Sequence, residues 1–132
     1  MGAWGSGPFE NDDAADWSDQ LTDAGGPEVV SEALRAVLGT TAPRAHAASS
    51  AVGAAAIVAA GLGVSGVELP EDLSDWLAGI DAATWPPLAA EAVRALDRVL
   101  EDSELADLWG EGDDGVWRDE TLALRAELAN PA

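Results

Sequence analysis

The sequence predicts an all-α protein: a single compact domain of about five to seven helices behind a Gly/Trp-rich N-terminal lead-in, residues 1–10, with the helical core over 11–129. Three observations lead there. Apolar residues recur at helical spacing between Gly and Pro punctuation. No short alternating run rich in Val, Ile or aromatic residues marks a strand. A chain of 132 residues is long enough to bury one core and requires no second. Disorder is the rival, because a net charge of -19 resembles a solvated acidic chain. The hydrophobic fraction of 48% opposes it, and once the 28 alanines are set aside 35 large apolar residues remain, 15 of them Leu and 6 Trp.

The helices follow in order. Glu10-Asn11-Asp12-Asp13 reads as a helix start, in which Asn11 or Asp12 accepts a hydrogen bond from a free first-turn N–H and the carboxylates favour the positive end of the dipole. Trp17, Leu21 and Ala24 then share a face, and Gly25-Gly26 stops the helix. Pro27 suits the first turn of the next helix, whose Val30, Leu34, Val37 and Leu38 form one stripe up to Gly39. From Pro43 an Ala-rich stretch runs to about Leu62. Ala47 to Val67 holds no charge over 21 positions, long enough for a bilayer, but its serines and glycines make a close-packed central helix the expectation. Glu71 to Ala78 is a short helix with Leu73, Trp76 and Leu77 apolar. Pro86-Pro87 opens the clearest amphipathic segment, with Leu88, Ala92, Leu96, Val99 and Leu100 inward and Glu91/Arg94 and Arg98/Asp102 at pairing spacing outside. Asp102 or Ser103 caps a further turn with Leu105, Leu108 and Trp109, Gly110 to Gly115 is a loop, and a last helix carries Trp117, Thr121, Leu124 and Leu128.

Composition excludes much chemistry. With no Cys there is no disulfide, no thiolate nucleophile and no Cys-containing zinc or iron–sulfur site. One histidine, His46, precludes a His-rich metal site within one chain. All 6 basic residues are Arg, so neither Schiff-base chemistry nor a P-loop lysine is available. The negative sign repels phosphate backbones and anionic membranes, so no direct nucleic-acid binding and no membrane association are expected. The start lacks a positive n-region followed by an apolar run, which predicts a cytoplasmic protein, and the Ala-rich, Lys-free composition reads as bacterial.

Motif matches are weaker than their ordinary explanations. Gly61-Leu62-Gly63-Val64-Ser65-Gly66 spells the dinucleotide fingerprint, but it follows a helix-like run where a strand is needed, so Gly63 is expected to be a helix C-cap. Glu111-Gly112-Asp113-Asp114-Gly115 suggests calcium, yet an EF-hand register starting at Asp107 puts Trp109 at an oxygen-ligand position and Arg118 at the bidentate-Glu position. Ser49 and Ser50 stand one turn from His46, without an oxyanion hole or orienting acid in view. The tryptophans are expected to fill space between alanines, Trp4 being the best exception because it sits outside any periodic face.

The opening Met1-Gly2-Ala3-Trp4-Gly5-Ser6-Gly7-Pro8-Phe9-Glu10-Asn11-Asp12, followed by Ala15, Asp16 and Trp17, resembles that of a bacterial family known as domain of unknown function 4259. The run Arg98-Val99-Leu100-Glu101-Asp102-Ser103-Glu104-Leu105, then Leu108-Trp109 and Trp117, is similar to that family's second signature, with Asp102 where Asn is common. The resemblance covers nearly the whole chain and implies no activity, substrate or cofactor. It directs attention to Trp4, Phe9, Asn11 and Asp12, which form either a docked, capped lead-in or a shallow binding site.

The leading functional expectation is a small acidic, non-enzymatic interaction module for a basic protein partner, such as an inhibitor or immunity-type protein. No cofactor is expected. The alternatives are a carboxylate-based metal-binding protein or hydrolase on Glu10, Asp12, Asp13 and Asp16, with Asp12 and Asp16 on one helix face, and a DNA mimic with ordered rows of carboxylates.

Overall fold

The structure, a computed structural model, describes residues 12–24, 26–39, 45–63, 69, 71–101 and 116–129. These form α1 (Asp12–Ala24), α2 (Pro27–Leu38), α3 (Ala45–Gly61), α4 (Glu71–Ala78), a 3₁₀ turn at Ala82–Thr84, α5 (Pro86–Glu101) and α6 (Val116–Ala129). Among the described residues there is no strand, and the architecture is all-α. The expected turn at 103–109, the 110–115 loop and the 1–10 lead-in lie outside the described residues.

Helix α3 is the axis of the packing. Its sequence is apolar on all sides, and Ala48 through Ala59 are all buried. It touches α1, α2, α5 and α6, while α4 packs on α1 and the 3₁₀ turn on α5. Small side chains make this possible, because Ala, Ser and Gly let neighbouring helices approach closely without leaving voids. The surrounding helices supply the bulk: Leu21 from α1, Val30, Leu34 and Val37 from α2, Leu96 and Val99 from α5, and Leu128 from α6. A charge-free helix thus lies inside a layer of amphipathic ones. No described helix is long and apolar enough to cross a membrane.

Local signals account for the boundaries. Pro27 stands in the first turn of α2, with Gly26 extended before it, and the Val29 N–H reaches the Gly26 carbonyl at 3.0 Å. Helix α3 ends as the glycine pattern predicts: the Gly63 N–H donates to the Ala60 carbonyl at 3.0 Å, and Gly63 itself is left-handed with φ 87°. The fingerprint-like glycines therefore terminate a helix, and the element before them is α3 rather than a strand. Pro86 opens α5, and the Leu88 N–H closes its first turn on the Trp85 carbonyl at 2.9 Å.

The segment between α4 and α5 was not anticipated from sequence. Asp81 Oδ1 accepts from the Ala83 N–H at 3.0 Å and its carbonyl from the Thr84 N–H at 3.0 Å, which winds the 3₁₀ turn and drives Trp85 inward. Among the described residues Trp85 is the largest fully buried side chain. Its indole covers Gly61: a Cβ there would lie 2.5 Å from Trp85 Nε1 and closer still to Cγ and Cδ1.

Two cross-helix arginine contacts tie α6 to α5. Arg118 Nη1 donates to the Leu100 carbonyl at 3.2 Å, placing positive charge at the negative end of α5. Arg125 is bidentate on Asp97, with Nη2 to Oδ2 at 3.2 Å and a shorter contact from Nε to Oδ1. That hydrogen bond, and then the attraction of the carboxylate, raise the Arg125 pKa above its ordinary value, with burial acting weakly against them. The expected pairing of Glu91 with Arg94 gives way to another: Glu91 Oε1 accepts from Arg35 Nε of α2 at 3.1 Å. A pair within one helix contributes only about 0.2–0.5 kcal/mol, too little to fix the partner of Glu91 from spacing alone.

Among the described residues one polar group in the core is unmatched. Ser50 Oγ on α3 is buried and has no hydrogen-bond partner among them. Ser50→Ala should leave stability unchanged or raise it by about 1 kcal/mol, since it removes a desolvated hydroxyl and adds helix propensity. Urea denaturation checks this; a loss of stability would mean that the hydroxyl has a partner in solution.

Candidate functional site

Among the described residues a candidate site lies where α4 rests on α1. Within α1, Leu21 points inward and is fully buried, and Ser18 beside it is buried as well, which turns Asp16, Asp19 and Asp23 outward at i, i+3 and i+7. Within α4, Leu73 is the inward anchor, and Asp72 and Asp75 face solvent on either side of it. Glu71 and Asp72 in the first turn also favour the positive end of the α4 dipole.

An open groove of about 460 Å³ runs between the two helices, lined by Thr22, Asp23, Asp72, Asp75 and Trp76. Thr22 Oγ1 donates to the Asp19 carbonyl at 3.2 Å, so its hydroxyl is committed to the backbone. Three carboxylates remain. Among the described residues no arginine pairs with Asp23, Asp72 or Asp75. The wall is anchored: Trp76 is half-buried, and its ring centroid lies 6.3 Å from that of Trp85 at an interplanar angle of 59°. The groove thus connects through two tilted rings to the Trp85–Gly61 contact in the core.

Among the described residues charge compensation is one-sided. Arg35, Arg94, Arg98, Arg118 and Arg125 belong to α2, α5 and α6, and α1 and α4 contain no basic residue at all. On the arginine-bearing side Glu91 and Asp97 are paired. The α1/α4 side presents Asp16, Asp19, Asp23, Glu71, Asp72 and Asp75 to solvent without a counter-ion from the same helices. Its carboxylates do not gather into a chelating set: among the described residues no three His, Asp or Glu are placed to hold a metal ion.

The residues singled out from sequence are only partly reached. Trp4, Phe9 and Asn11 lie outside the described residues, and so does the side chain of Asp12, although Asp12 begins α1. Asp16 is exposed on α1, one turn beyond Asp19 and two turns from Asp23. Ser49 and Ser50 are buried in α3, while the His46 side chain is outside the described residues. Of the tryptophans, Trp85 is buried, Trp17 and Trp76 are half-buried against the core, and Trp4, Trp109 and the Trp117 side chain are not described. Sequence reasoning missed the groove because Asp23 and Asp72 are far apart in the chain. The signal that could have found it is the absence of any Arg from both helices.

These features define an all-α domain in which a charge-free, small-residue helix is sheathed by amphipathic helices, one side of the sheath being acidic without compensation among the described residues. The chain belongs to the family described as domain of unknown function (DUF4259), whose model matches residues 2–120. No curated protein and no solved structure matches it.

Proposed function

We propose that this protein is a non-enzymatic interaction module of the cytoplasm that receives a basic protein partner on its α1/α4 face, in the manner of an inhibitor or immunity-type protein. The observation that supports the reading is the one-sided charge: a groove with three carboxylates that no arginine pairs with among the described residues, beside a half-buried Trp76, on helices that contain no arginine. Such a face attracts cationic surfaces, and uncompensated charge at one place steers an encounter better than the same charge spread evenly. An indole flanked by carboxylates suits a guanidinium, which stacks on the ring while donating to the acids.

Affinity capture from the native host with paired variants tests this reading. Asp72→Asn/Asp75→Asn and Glu32→Gln/Glu127→Gln each remove two exposed charges, one pair from the groove and one from elsewhere. The reading predicts a basic protein recovered by the wild type and by the second variant but lost from the first. Recovery of no basic protein at low or moderate salt, or equal loss from both variants, counts against it.

A further inference from the structure

We draw no further inference here: the strongest candidate, the open acidic groove between α1 and α4 beside Trp76, belongs to the site already described, and no bound group or buried unpartnered side chain aimed into it shows what more it would hold.

Discussion

Trp85→Ala should cost about 3–5 kcal/mol of folding stability, the range for truncating a large aromatic in a core. Trp85 is 1% exposed, and three structures converge on it: the C-terminal end of α3 at Gly61, the first turn of α5 through its own carbonyl, and the α4 ring Trp76. Removal of the indole leaves a cavity at that junction and withdraws the support behind Trp76. With a total stability of about 5–15 kcal/mol expected for a domain, the variant should sit near the edge of folding. Urea denaturation followed by circular dichroism measures the loss. Trp85→Phe should retain part of the stability, because a smaller ring still fills some of the space. An alanine variant within about 1 kcal/mol of wild type would show that Trp85 is not buried at this junction.

The second large effect concerns Gly61, and here two principles oppose each other. Gly→Ala in an open helical position gains up to about 1 kcal/mol. At Gly61 the new Cβ would penetrate the Trp85 indole, a rigid buried group that cannot swing aside, and overpacking of this kind costs about 1–3 kcal/mol. Gly61→Ala should therefore destabilise. Gly39→Ala is the matched control, since among the described residues its Cβ would meet only the Arg35 carbonyl at 3.5 Å and its φ of -87° suits any residue. That variant should stay within about 1 kcal/mol of wild type. The two large predictions are also coupled: in a Gly61→Ala/Trp85→Leu double variant the Gly61 substitution should cost less than it does alone, because its collision partner is gone. Strict additivity would separate the two residues.

Much of the fold was legible along the chain because its boundaries are written in local chemistry. Pro27 and Pro86 open helices, Gly63 closes one with a positive φ, and Leu73, Leu96 and Leu128 fall on inward faces at helical spacing. The small-residue run of α3 was legible too, since a stretch without charge and with too many serines and glycines for a bilayer fits only an interior. What escaped depends on contacts between distant positions. Nothing near Asp81 or Trp85 announces that a 3₁₀ turn will carry the ring onto Gly61, and the glycines there indicate a helix cap alone. Glu91 looks paired within its own helix until α2 brings Arg35 beside it. The groove belongs to the same class, because its composition is visible in two segments whereas their adjacency is a property of the packing.

The acidic balance of the chain takes on a location through that packing. The charge-free interior of α3 lets a 48% hydrophobic fraction coexist with a net charge of -19, and among the described residues the arginines of α2, α5 and α6 leave the α1/α4 side uncompensated. If solubility were the whole purpose of the acids, cationic ligands would find no preferred place. The measurement that separates these accounts most directly is an amide and indole NMR titration of the full chain with an arginine-rich peptide at physiological ionic strength. A recognition face predicts shift changes concentrated on α1 and α4, with the Trp76 indole N–H among the largest and the Asp72→Asn/Asp75→Asn variant strongly weakened. Changes spread over all helices in proportion to their carboxylates, and unaffected by that variant, would contradict it.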